Sequence, residues 1–198
     1  VILAPADQSL FFKLMLPLQF FVSGKLDVLP EVVNFEDYCK SPMQEKFKVC
    51  NALFENIGLI DEFIDENPPD IPMRKLVAVS RWKKFVRGDF FIERYLKKHA
   101  VFITDDAEVY AVHGLTESPV DYFPKFTLPV RINAVLLPFQ DKIVIDGFFL
   151  PYRVVFGSGI KSEMKEIYNS AKQKGKIIIS LNNRFLFFSG SNLLSSIY

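Results

Sequence analysis

VRINAVLLPFQDKIVIDGFFL, residues 130–150, reads as two strand-like apolar runs, Val130 to Leu137 and Lys142 to Leu150, separated by Pro138-Phe139-Gln140-Asp141. A third run, Tyr152 to Phe156, follows a bend at Pro151, and Gly157-Ser158-Gly159 then leads into a helix over about 160–174 with Met164, Ile167, Tyr168 and Ala171 inward. Gly175 ends that helix, and Lys176 to Leu181 returns as a strand. Upstream, Ala100 to Thr104 and Glu108 to His113 form a hairpin pattern around Asp105-Asp106. Residues 114–129, with Gly114 and three prolines, read as an irregular crossing loop. So many short strands around one helix imply a small, strongly bent sheet or partial barrel with the helix covering one open side.

Before this block the apolar spacing is helical. Leu10, Phe11, Leu14, Leu18, Phe21 and Val22 share a face of a first helix, which Pro17 is expected to kink or divide. Ser41-Pro42 opens a second, carrying Phe47, Cys50, Leu53, Phe54 and Ile57. A short amphipathic piece over 59–66 stops at Asn67-Pro68-Pro69. Leu76, Val79, Trp82 and Val86 predict a helix over 73–86. Gly88-Asp89 then reads as a stop and a new cap, with a further helix to about Lys98. The expected class is therefore α+β, a helical N-terminal half packed on a small β-rich half. The expected units are a helical subdomain over 1–99, a β-rich subdomain over 100–187 and a tail over 188–198.

The chain has 198 residues, 49% of them hydrophobic and 24% charged, which excludes disorder and a disulfide scaffold. Cys39 and Cys50 have no redox or zinc spacing, so free thiols in a reducing cytoplasm are expected. The longest apolar stretch, Leu10 to Val22, is short of the ~20 residues of a bilayer span, and no secretory pattern precedes it. The 21 Phe residues fall largely on inward faces of both halves, which predicts one shared aromatic core.

The formal charge of +1 averages two unlike stretches. Glu55, Asp61, Glu62, Asp65, Glu66 and Asp70 make 55–70 acidic. Residues 74–98 carry Arg74, Lys75, Arg81, Lys83, Lys84, Arg87, Arg94, Lys97 and Lys98 against Asp89 and Glu93. A basic helical face beside Trp82 and Tyr95 would suit nucleic acid or a protein partner, with Arg81, Lys83, Lys84, Arg87, Arg94 and Lys97 as the contact residues. Against this stands the reading that the acidic and basic segments face one another.

Gly157, Ser158, Gly159 and Lys161, at a strand-to-helix turn, could hold an anion on unpaired helix amides. The dinucleotide fingerprint fails because Ser162 replaces its third glycine, and a structural turn is the competing explanation. His99 and His113 lack ligand spacing, so neither a metal nor a cofactor is expected. Asp141 suits a turn, and Asp146-Gly147 suits a bulge. Asp146, Tyr152 and the Gly157–Lys161 turn are the candidates for an enzyme acting on a phosphorylated ligand in a pocket between the halves. No nucleophile motif supports catalysis, and a non-catalytic binding protein is the leading expectation.

The segment LPVRINAVLLPFQDKIVIDGFFLPYRVVFGSGIKSEMKEIYNSAKQKGKIIISL, residues 128–181, resembles the C-terminal part of a family of uncharacterised bacterial proteins, through its Leu-Leu-Pro-Phe, Asp-Gly and Phe-Gly-x-Gly-Ile punctuation. Residues 80–103 and LFFKLMLPLQFFV near the start are similar to the same family. The resemblance implies no activity.

Overall fold

The computed structural model describes residues 2–182. Five helices come first: α1 (Pro5–Leu26), α2 (Phe35–Lys40), α3 (Met43–Glu55), α4 (Leu59–Glu66) and α5 (Met73–Arg81). Pro17 lies inside α1 and does not divide it, while Pro5 occupies its first turn, where no donor is lost. Asn34 caps α2 by accepting from the Asp37 amide. Asn67 closes α4 in the left-handed conformation, its side chain bonded to both the N–H and the C=O of Ile71.

Five strands follow: β1 (Val86–Tyr95), β2 (Ala100–Ile103), β3 (Val109–His113), β4 (Val130–Phe139) and β5 (Lys142–Pro151). They close in the order β1-β2-β3-β5-β4, with β4 back against β1. Every junction is antiparallel except β3–β5, which is parallel and joins only Val112 to Ile143 and His113 to Val144. The ring is thin at that one seam, so the sheet closes only in part. A short helix, α6 (Pro119–Tyr122), lies between β3 and β4, and the Tyr95 hydroxyl ties it down by bonding to the Pro119 and Phe123 carbonyls.

Three apolar clusters explain the layers. Phe90, Ile92, Phe102, Tyr110, Val112, Ile132, Leu136 and Ile143 fill the barrel. On its outer wall, Val135, Leu137, Phe139 and Val144 join Phe11, Leu14, Leu18, Leu53, Ile60 and Trp82 of the helical half in one core. Phe11 sits at its centre, with ring centroids 5.3 Å from both Trp82 and Phe139. On another wall, Phe91, Val101, Ile103 and Val109 are buried beneath Met164 and Tyr168 of α7 (Ser158–Gln173). The chain is thus α+β, with its helical half packed on the sheet and one covering helix, as the sequence predicts.

Four expectations are corrected. The helix read over Asp89 to Lys98 is strand β1, because Phe90-Phe91-Ile92 is buried on both faces and so masks the strand alternation. A register shift between Ile92 and Arg94 blurs it further. The helix before it ends at Arg81, and Trp82–Lys84 form one 3₁₀ turn. Tyr152 to Phe156 is extended but forms no strand, bonded by the Tyr152 amide to the Arg131 carbonyl. Residues 176–181 contribute only a bridge between Ile178 and Tyr110. The expected tail, 188–198, lies outside the described residues.

Candidate functional site

The two halves leave a cleft of about 330 Å³ where they meet. Phe11, Phe12, Met15, Leu16 and Gln19 of α1 form one wall, Met43 and Lys46 of α3 a second, and Leu115–Glu117 with Tyr122 a third. Its floor is Gly147 and Phe148. That floor exists because β5 carries extra residues there: Ala134 pairs with Phe149 and Leu136 with Ile145, so residues 146–148 oppose Val135 alone. Gly147 takes φ +90°, a conformation that disfavours a side chain, and Phe148 turns toward α3 to meet Phe47 at 5.6 Å. The Asp146-Gly147 bulge is therefore real, and it builds a cavity wall. A much smaller cavity of about 30 Å³ at the barrel mouth shares Leu115–Glu117, Tyr122 and Gly147 with the cleft, so the two adjoin.

The polar groups of the cleft are few. Gln19 is buried and already engaged, accepting from the Tyr38 hydroxyl at 3.0 Å and donating to Cys50 Sγ at 3.5 Å. Burial pushes the Tyr38 hydroxyl well above the usual phenol range, so it stays a donor. Lys46 is half-buried and spends one N–H on the Cys39 carbonyl at 2.7 Å. An ammonium has three donors, so two have no partner among the described residues. Glu117 and Thr116 stand exposed at the rim. A mainly apolar lining with one cation, Lys46, and one carboxylate, Glu117, suits an apolar body with one charged end.

The basic segment is not one patch. Arg81 ends α5 and Lys83 and Lys84 lie in the 3₁₀ turn after it, whereas Arg87 and Arg94 are seven residues apart on β1, about 23 Å at strand rise. Lys83 pairs with Asp61 at 2.7 Å, and Arg87 reaches Asn51 at 2.9 Å and Glu55 at 3.8 Å. Lys84 donates to the Asn182 carbonyl. Arg94 pairs with Glu93 and lies 4.1 Å over the Tyr168 ring. Arg81 and Lys97 are exposed. The aromatics offered for stacking are spent elsewhere, since Trp82 is in the core and the Tyr95 hydroxyl holds α6.

Gly157, Ser158, Gly159 and Lys161 are exposed at the start of α7, with Gly157 as its N-cap and no side-chain cap bond. A Cβ at Gly157 or Gly159 would meet nothing within 4 Å, and neither glycine has positive φ, so the turn does not demand them sterically.

Tyr152 belongs to a different constellation. Asp89 accepts from Asn133 at 2.7 Å, from the Tyr152 hydroxyl at 2.9 Å and from Arg131 at 3.1 Å. Those bonds, Asn133's foremost, hold its carboxyl below the usual range. Arg131 also bonds Asp105 and lies over the Phe91 and Tyr152 rings. The network ties Tyr152 to the outside of the barrel, away from the cleft.

Among the described residues no group of three or more His, Cys, Asp or Glu side chains could hold a metal. Cys39 and Cys50 form no disulfide, and no described helix is long and apolar enough to cross a membrane. Compared with protein-family models, curated proteins and solved structures, the chain matches none.

The sequence reading missed Lys46, Gln19, Glu117 and Phe148. Phe148 had a signal in the Asp146-Gly147 bulge beside it. Lys46 had none, being one lysine among many until α3 sets it in the cleft wall.

Proposed function

We propose that the protein is a non-catalytic binding module that takes a small amphiphilic anion, an apolar body with one carboxylate-like end, in the cleft between its halves. The observation that carries this reading is the half-buried Lys46, whose one bond among the described residues is to the Cys39 carbonyl, in a cleft whose lining is mainly apolar. A larger apolar groove of about 660 Å³ lies on the outside of the helical half, around Phe20, Phe21 and Phe35. Its cation, Lys25, is already neutralised by Glu66 at 2.6 Å and Glu62 at 3.4 Å, so it offers no matching charge.

The cleft also hosts the alternative of an enzyme acting on a phosphorylated ligand. One cation opposite Glu117 supplies less than a phosphate group needs, which favours the binding reading. A competing proposal keeps nucleic acid as the partner of the basic segment. It is supported by Arg81 and Lys97, which remain exposed, and weakened by the ion pairs of Lys83 and Arg87. The undisulfided cysteines support a reducing, cytoplasmic setting. Membership of the bacterial family rests on the motifs of residues 128–181.

The test is a titration of the protein with octanoate, octanol and octylamine, followed by NMR of the Met15, Leu16 and Leu115 methyls. Octanoate is expected to shift them saturably and to bind more tightly than the other two, and Lys46→Met should weaken octanoate alone. Equal binding of the alcohol, or no saturable shift, refutes the proposal. Salt-sensitive binding of single-stranded RNA, lost on Arg81→Glu with Lys97→Glu, would favour the competing one.

A further inference from the structure

His99 and His113 are the only histidines of the chain, and the fold places them opposite each other. Ala100 pairs with Val112 in the antiparallel β2–β3 ladder, so the next positions outward are His99 and His113, whose ring centroids are 6.5 Å apart. Nε2 of His99 and Nδ1 of His113 are both buried and have no hydrogen-bond partner among the described residues. His113 is also one half of the seam that closes the barrel. That seam has two residue pairs, Val112 with Ile143 and His113 with Val144, against seven each for β1–β4 and β4–β5.

The surroundings disfavour a proton on either ring. Burial acts first on both, and Lys98 from the β1–β2 turn adds to it at His99. At His113 a bond to the Ile143 backbone favours the proton, while His99 and Lys142 oppose it. Asp141, on the β4–β5 turn, is the acid within electrostatic reach of His113, but it is exposed and already bonded to Lys142. From α1, Asp7 is bonded to Gln140 of the same turn. Neither carboxylate bonds an imidazole, so two charged rings would face each other across the strands without a counter-ion in contact.

We propose that His99 and His113 form an acid-sensitive latch on the β3–β5 seam, which holds while both rings are neutral and opens when both are charged. The chain leaving the seam transmits the opening. Gly114 accepts the Leu3 amide at 3.1 Å, and its backbone runs so close to the next turn that an added Cβ would lie 1.9 Å from the Glu117 oxygen. That turn carries Leu115–Glu117, the third wall of the cleft, so the latch would release the ligand on acidification. This last consequence rests on the cleft being the ligand site, whereas the opening does not.

Amide hydrogen exchange at pH 7.5 and 5.5, corrected for intrinsic rates, tests the opening directly. If the rings are neutral when closed and titrate normally when open, each raises the opening constant about tenfold over this interval, and both together raise it roughly a hundredfold. Protection of the His113 amide, which strand alternation directs at β5, should fall by that order while β1–β4 amides hold. His99→Gln with His113→Gln should remove the pH dependence. Equal protection at the two pH values, or the same loss in the double variant, overturns the latch. Should the double variant not fold, side-chain NMR of the native protein decides: rings still neutral at pH 6 support the latch, and titration of either at or above 6.5 overturns it. Octanoate released at pH 5.5 together with seam opening supports the coupling. Seam opening with octanoate retained overturns the coupling alone, and a protein that never binds octanoate overturns the cleft reading and leaves the latch to the exchange data.

Discussion

Phe139→Ala probes whether the helical half and the barrel share one core. Phe139 ends β4 and is 1% exposed, and its ring meets Phe11 edge-on at 5.3 Å. Phe11 in turn lies 5.3 Å from Trp82, so the three rings join β4, α1 and the end of α5. Truncating a buried Phe costs about 3–5 kcal/mol, as lost transfer energy plus an unfilled cavity. At roughly 2–4 °C per kcal/mol for a domain of this size, the midpoint should fall by about 6–20 °C. The chain has one Trp, fully buried, so its fluorescence reports on the junction itself. Urea unfolding followed by Trp82 fluorescence and by far-ultraviolet circular dichroism should give coincident transitions in wild type and variant. A loss below about 1 kcal/mol, or fluorescence and helix signals that separate in the wild type, would refute a shared core.

Gly114→Ala should abolish stable folding or lower the midpoint severely, because the new Cβ meets backbone at 1.9 Å; a midpoint unchanged in thermal melts would show the turn to be built differently. Tyr38→Phe leaves the buried Gln19 Oε1 without its donor and should cost about 1–3 kcal/mol in denaturant unfolding. Asp89 has a lowered pKa in the fold, so its unfolded state binds the extra proton. The stability it adds is complete above about pH 4 and is lost as pH falls through the lower folded value. The stability gap between wild type and Asp89→Asn should accordingly narrow in acid, and a gap constant from pH 5 to 2 would contradict the network.

Local pattern carried much of this fold. The runs over 100–113 and 130–150 alternate or sit between turn residues, and they became β2 to β5 almost as read. Strand β1 was illegible for a physical reason. Barrel interior and α7 bury Phe90, Phe91 and Ile92 from opposite sides, so the stretch keeps no polar face to show its period. The pairing of acidic and basic stretches was half legible. Their proximity in sequence suggested it, but only α4 packing against α5 and its 3₁₀ turn brings Asp61 to Lys83. The cleft was the least legible part, since its residues come from positions as distant as Phe11 and Phe148 and are joined by tertiary packing alone. The histidine pair was hidden likewise, because fourteen positions separate residues that the hairpin register sets face to face.

The central claim, that an amphiphilic anion occupies the junction of the two halves, is tested most directly by intermolecular nuclear Overhauser effects from the octanoate chain. Contacts are expected to the methyls of Met15, Leu16 and Leu115, with the carboxylate end perturbing Lys46. Contacts confined to the Phe20–Phe35 groove on the outside of the helical half, or none to the cleft methyls at saturation, would contradict it.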